Sequence, residues 1–151
     1  YKQSFNNLII FYKKIFKKTK FFNLKISDTF GQFDKRKKII NVLKINYKKN
    51  IVTNILSKNL FLNLLNVSDI NNATKLILEQ NLKPGAYVLK NKKDFCISTI
   101  IDDINNSSNK KIKINWLSKK VMKEKIYNYK NLTGWKPLKS KVKDISRLIT
   151  G

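Results

Sequence analysis

The sequence contains no histidine, so imidazole acid–base catalysis and histidine metal ligation are excluded within this chain. Its one cysteine, Cys96, rules out an internal disulfide, and nothing in the cysteine usage indicates an oxidising compartment. Cys96 lies in the apolar run Phe95-Cys96-Ile97, where a buried small hydrophobe is expected. The four glycines, Gly31, Gly85, Gly134 and Gly151, are isolated. No glycine-rich turn is therefore available to aim a helix N-terminus at a pyrophosphate. Arginine occurs only at positions 36 and 147, and alanine only at 73 and 86. No apolar run approaches the ~20 residues of a membrane-spanning helix. No signal-peptide pattern stands out either, and a cytoplasmic protein is expected. The sequence opens on Tyr1 rather than methionine, which reads as a fragment or a processed piece.

What abounds is lysine. The 151 residues carry a formal charge of +24, almost none of it arginine. A charge of that size points first to nucleic acid or an anionic membrane. Phosphate and base recognition, however, favours the forked donors of arginine. Lysine, asparagine and isoleucine rising together are also what an A/T-rich genome encodes, whatever the function. A small basic RNA-associated protein of ribosomal type is thus the competing reading, and any nucleic-acid binding is otherwise expected to be non-specific. The 42% hydrophobic content is enough for the core of one domain.

Along the chain, Phe5, Leu8, Ile9, Tyr12, Ile15 and Phe16 recur at helical spacing, predicting a lysine-faced helix over 1–18. Such a helix could also lie on a membrane surface, but no membrane partner is expected of a chain of this kind. A strand is expected over 20–27, then a loop from Asp28 to Asp34 and a helix over 35–49. Strands follow at 50–56 and 60–67. Asp69, as N-cap, opens a helix that ends before the turn signal Pro84-Gly85. Gly85–Leu89 reads as a strand, Asn91 as a residue tolerant of left-handed geometry, and Ser98 as the cap of a helix over 99–105. Lysine or asparagine alternates with Ile112, Ile114 and Trp116, predicting a half-buried strand. A short helix over 127–132 would stop at Gly134, Trp135 would pin the turn, and Pro137 would separate it from a terminal helix beginning near Lys139.

These residues also carry a resemblance. Asn131-Leu132-Thr133-Gly134-Trp135-Lys136-Pro137 and the helix after it look like the ending of the extended short-chain dehydrogenases/reductases, the NAD-dependent epimerase/dehydratase family. Tyr1, Ser4, Asp28, Phe30, Gly31, Asp34, Arg36, Lys38 and Ile39 fall in the order of that family's second half. Val67, Asp69, Ile70 and Ala73 match a later segment, and Gly85 and Tyr87 another. The stretch from Ile114 through Met122 to Pro137 is most similar to the CDP-abequose synthase-like branch, which reduces CDP-4-keto-6-deoxyhexoses. The departures are specific. Phe5 stands where the family has its lysine, Asp28 replaces an asparagine and Gln32 a proline. The arginine-bearing stretch before Met122 is missing, and Lys119 and Lys120 supply charge without a planar fork.

The resemblance implies an α/β fold, a partial Rossmann-type parallel sheet (the C-terminal half) with a small α/β substrate-binding lobe. It divides the chain into 1–56, the end of the Rossmann-type domain, and 57–151, the remaining core and lobe. The function implied is NAD(P)-dependent reduction or epimerisation of a nucleotide-linked deoxyhexose, of CDP or dTDP type, as in lipopolysaccharide biosynthesis. Tyr1 would be the catalytic proton donor. Asp28, Thr29, Phe30, Arg36, Lys119, Lys120 and Met122 would face the sugar nucleotide. Phenylalanine at position 5 cannot lower a tyrosine's pKa as a lysine does, and the family's glycine-rich turn lies upstream of this stretch. The chain alone is therefore expected to bind neither NAD nor NADP and to be inactive. The first helix is expected to form a homodimer.

Overall fold

The computed structural model describes residues 2–123 and 128–151. Tyr1 and the start of the helix expected at Tyr127 lie outside the described residues.

The first amphipathic pattern forms α1 (Lys2–Ile15), with Lys13 and Lys14 in the last turn, where cations suit the negative end of the helix. β1 (Phe22–Ile26) follows, then β2 (Asp28–Phe30). A loop was expected at Asp28–Phe30, but these residues pair in parallel with a strand nearly forty positions on, a contact that local composition does not announce. α2 begins at Ile39 rather than Lys35 and runs to Lys49. The Asp34 side chain takes up the Arg36 N–H at 3.1 Å and competes with helix formation there. Asn50 ends α2 in the left-handed conformation (φ 58°), its N–H donating to the carbonyls of Asn46 and Tyr47.

β3 (Thr53–Ile55), β4 (Leu60–Leu62) and β5 (Leu64–Asn66) come next. The single strand expected over 60–67 is thus two, and they belong to different sheets. Asn63, buried between them, donates from Nδ2 to the Asn91 carbonyl (3.1 Å) and Asp94 Oδ1 (2.8 Å), and its Oδ1 accepts from Asn91 N–H (2.8 Å). α3 (Val67–Glu79) is capped by Asn66, whose side chain accepts from Ser68 N–H at 2.9 Å. β6 (Gly85–Leu89), β7 (Phe95–Cys96), α4 (Ile97–Ser107), β8 (Ile114–Trp116), β9 (Met122–Lys123) and α5 (Val142–Thr150) complete the order.

Three two-stranded sheets are parallel: β1 with β6, β2 with β5, and β3 with β8. β4 lies between β7, antiparallel, and β9, parallel. One hydrophobic cluster joins α2, α4 and α5 around Leu43, Ile97, Ile100, Ile104, Ile145 and Ile149. A second gathers Leu65, Ala73, Tyr87, Leu89 and Leu132 beneath α3, with Trp135 packed against it.

Several local expectations change. Asp69 is no N-cap, since Asn66 fills that place. Its buried carboxylate instead receives Leu138 N–H (2.9 Å), Lys139 N–H (3.1 Å to Oδ1, 3.0 Å to Oδ2) and the Ser140 hydroxyl (2.5 Å). The Trp135 indole N–H donates to the Asp69 carbonyl at 2.9 Å. The tryptophan does pin the terminal turn, and Gly134 is left-handed (φ 75°), but residues 128–132 are not helical. Asn131 bridges Val88, and Val88 N–H donates to the Lys130 carbonyl (2.9 Å), which holds this segment extended. α4 starts at Ile97 with Cys96 at the cap position and no side-chain cap bond, so Ser98 is not the cap. Its hydroxyl lies 3.1 Å from Cys96 Sγ, and Cys96 is only half-buried. Asn91 is not left-handed; Asn50 alone is, among the described non-glycine residues.

Candidate functional site

Four of the expected substrate-facing residues come together at the end of β2. Asp28 Oδ1 accepts from Thr29 N–H (2.9 Å) and pairs with the Lys38 ammonium. Phe30 points into the core, 1% exposed. It therefore fixes the strand and offers no surface to a ligand. Arg36 reaches Thr29 Oγ1 (2.8 Å) through one terminal nitrogen and forks onto Asp34 with contacts of 2.7 and 2.6 Å. That hydrogen bond holds the Asp34 carboxyl at about pKa 2, below its usual 3.8. Arg36 is thus fixed in place, with its guanidinium half in solvent.

Beside this group opens a cleft of about 830 Å³, between the Gly31–Arg36 loop, α2, the start of α3 and α5. Arg36, Lys44, Lys48, Lys139 and Arg147 line it, against only Asp34 and Asp144. Asp34 is paired with Arg36, and Asp144 accepts the Lys141 N–H (3.0 Å) at the start of α5. The cleft is net cationic and suits an anion such as a phosphate. Gly31 sits close at its edge: a Cβ there would stand 2.7 Å from Val67 Cγ2, so the valine would have to move.

Met122 lies in β9, and Lys119 and Lys120 in the segment that leads to it. The Lys119 carbonyl accepts from Asn59 Nδ2 (2.8 Å), the Lys120 carbonyl from the Ser57 hydroxyl, and Met122 N–H donates to the Asn59 carbonyl (3.0 Å). These backbone bonds fasten the segment and leave both lysine side chains exposed. No hydrogen bond or ion pair among the described residues joins Lys119–Met122 to Asp28–Arg36. Next to β9 is a second hollow, of about 450 Å³, lined by Phe61, Asn63, Lys90, Asn91, Lys92, Lys93, Asp94 and Lys123. Lys123 pairs with Asp94 at 3.0 Å. Burial pushes the Asp94 carboxyl up, but hydrogen bonds from Asn63 and Lys123 and the charges of Lys123 and Lys90 outweigh it, and the net shift is downward. Sequence reasoning did not single out this basic loop, although the run Lys90-Asn91-Lys92-Lys93-Asp94 was its visible signal.

Among the described residues, no group of histidine, cysteine, aspartate or glutamate could hold a metal ion. Asn66 already occupies the N-terminus of α3, and α4 opens on the fully buried Ile97 without a glycine turn. Among the described residues, no helix is long and apolar enough to cross a membrane.

No protein-family model and no curated protein matches the chain. Solved structures do. The UDP-glucose 4-epimerase of Thermus thermophilus, in complex with NAD, superimposes with a TM-score of 0.71 at 12% identity, over 97% of this chain and 50% of its own. The UDP-glucuronic acid 4-epimerase of Bacillus cereus, also with NAD, gives 0.70 at 18% identity, over 95% and 50%. The Thermotoga maritima UDP-glucose 4-epimerase, with UDP-glucose, gives 0.69 at 14%, over 97% and 50%. At such identities the likeness is one of fold. The chain has a half-length, Rossmann-type α/β fold, spanning about half of each of these structures.

Proposed function

We propose that the chain is the substrate-side portion of a nucleotide-sugar epimerase or oxidoreductase that uses NAD or NADP. The observation that carries this reading is the agreement of nearly the whole chain with half of three enzymes whose structures hold NAD or a UDP-sugar. The ordered motifs of the sequence support it, as do two lysine-lined hollows beside residues expected to meet a sugar nucleotide. The fold lends no support to the RNA-associated reading.

In this reading Asp28, Thr29, Arg36, Lys119, Lys120 and Met122 receive the sugar nucleotide, of CDP, dTDP or UDP type, and the lysines neutralise its diphosphate. In a protein that also holds a nicotinamide cofactor, that group would supply or accept the hydride. A tyrosine at position 1 exchanges a proton with the sugar oxygen. Phe5, exposed on α1 where the resemblance expects a lysine, brings no positive charge to lower that phenol's pKa. The chain by itself is accordingly inactive, and a homodimer forms through α1. The reductase of CDP-4-keto-6-deoxyhexoses is the specific activity the sequence resembles.

The test is calorimetric titration of the chain with UDP-glucose, CDP-glucose, inorganic diphosphate and NAD at physiological salt. A sugar nucleotide is expected to bind about tenfold or more tightly than diphosphate, as discrimination beyond charge requires, with no heat from NAD. Equal affinity for diphosphate would reduce the site to non-specific charge and sink the reading. Oxidation of NADPH by the chain with a CDP-4-keto-deoxysugar would refute the expected inactivity.

A further inference from the structure

The sequence carries 33 lysines and arginines, and only Arg36 and Arg147 are arginines. They come from distant parts of the chain, yet the fold sets both on the wall of the cleft between the Gly31–Arg36 loop, α2, the start of α3 and α5. Three lysines, Lys44, Lys48 and Lys139, join them there. Random placement among 33 cationic positions would rarely put both arginines among these five. In a chain that otherwise uses lysine wherever it has a cation, the forked guanidinium therefore marks this cleft out from the charged surface around it. Much of the charge also has no partner within the molecule. Arg36 holds Asp34 and Thr29 through Nε and one terminal nitrogen, and its other terminal nitrogen is unbonded among the described residues. No hydrogen bond or ion pair among the described residues engages the side chains of Arg147, Lys44 or Lys139. The Lys48 ammonium donates only a long bond, 3.4 Å, to the Gly151 carbonyl.

The cleft, of about 830 Å³, lies within the range of about 300–1,000 Å³ that small-molecule sites occupy, and it is far larger than a single phosphate fills. We propose that it binds a ligand carrying a chain of two or more phosphate groups. Arg147 forks onto the phosphate oxygens, the unbonded nitrogen of Arg36 donates to them, and Lys44 and Lys139 neutralise the remaining charge. Val67 and Ser68, at the start of α3, also line the cleft, so the positive end of that helix adds to the field. Phe33 lines it too and is 87% exposed, a ring on which a base can stack. A nucleoside polyphosphate and a free oligophosphate share this chemistry. The site is separate from the sugar-nucleotide reading: only Arg36 is common to both, and Lys119, Lys120 and Met122 are not among the residues lining the cleft.

The test is calorimetric titration of the 151-residue chain with inorganic triphosphate, orthophosphate and ATP at physiological salt, which screens diffuse surface charge. Amide NMR shifts locate the ligand. One equivalent of triphosphate is expected to bind, about tenfold or more tightly than orthophosphate, and to move the amides of Arg36, Val67 and Leu148. Arg147→Gln should weaken it about tenfold. Arg147→Lys keeps the charge and loses the fork, and should weaken it about threefold or more. Lys143→Gln, at an exposed position of the same helix outside the cleft, should change the affinity less than about twofold. ATP binding more tightly than triphosphate, with Phe33→Ala removing the difference, assigns the phosphates to a nucleotide, and equal binding assigns them to a free oligophosphate. Several equivalents bound alike, or an equal loss from Lys143→Gln, overturns the site in favour of diffuse charge. Full affinity in Arg147→Lys overturns the role of the fork. Shifts centred on Lys119–Met122 overturn the placement, whereas failure of UDP-glucose to bind would sink the sugar-nucleotide reading and leave each of these outcomes unchanged.

Discussion

α1 and α5 are both lysine-bearing amphipathic helices, yet only one is covered. α5 sets Ile145 and Ile149, fully buried, against α2 and α4. α1, longer by five residues, leaves Phe5, Leu8, Ile10, Phe11 and Ile15 all roughly half exposed. The pattern of apolar residues shows that each helix has a face to bury. What covers the face is decided elsewhere, by residues distant in sequence. α5 is also tethered upstream, since Asp69 holds the backbone of Leu138 and Lys139 just ahead of it. α1 is tied to β1 through its surface side chains, Asn6 Oδ1 accepting from Asn23 Nδ2 (3.1 Å) and Lys25 Nζ (3.0 Å).

The sharpest way to break the contrast is a matched pair of truncations. Ile145→Ala should cost about 3 kcal/mol, the range for emptying a buried aliphatic site, whereas Phe11→Ala should cost less than about 0.5 kcal/mol. Urea denaturation of the two variants, dilute enough to keep the chain monomeric, checks it, and equal losses would mean that α1 is covered within the chain itself. Next in size, Asp69→Asn should cost about 2 kcal/mol, because an amide cannot accept the four hydrogen bonds that the carboxylate now takes from residues 138–140. Faster exchange of the Leu138 and Lys139 amides would locate the damage. The smallest effect concerns acid. Asp34 has a depressed folded pKa, so its contribution to stability is present above the ordinary 3.8 and fades as pH falls towards about 2. The pair is solvent-exposed on the Arg36 side, which keeps that contribution slight. Arg36→Ala should move the Asp34 midpoint up towards 3.8, as an NMR titration would show.

Much of the fold was legible from periodicity and turn chemistry. α1, α2, α4, α5 and β6 stand where their apolar spacing puts them, give or take a few residues. The misses share a cause. The division of 60–67 into β4 and β5 depends on Asn63, whose partners Asn91 and Asp94 come 28 and 31 residues later. Asp69 looked like a cap because the residues that bury it lie about seventy positions on. Residues 128–132 carry a helix-like pattern, but pairing with Val88 draws them out straight. The candidate site divides along the same line. Asp28, Thr29 and Arg36 cluster because they are close in sequence and share short side-chain bonds. The hollow around Lys90–Asp94 and Lys123 draws on three separate segments, Phe61 and Asn63 supplying the third, so only its local charge run could be seen in advance.

The Asp69 seat has a consequence for the order in which the chain assembles. Its hydrogen-bond donors, Leu138, Lys139 and Ser140, emerge during synthesis only after β6, β7, α4, β8 and β9 have been made. Until then α3 has its Asn66 cap but carries an unshielded carboxylate at a position destined for the interior. A loop of that length is slow to close. The terminal segment is therefore the last part of this seat to be made, adding to the halves' connection through β1–β6, β3–β8 and β4–β7.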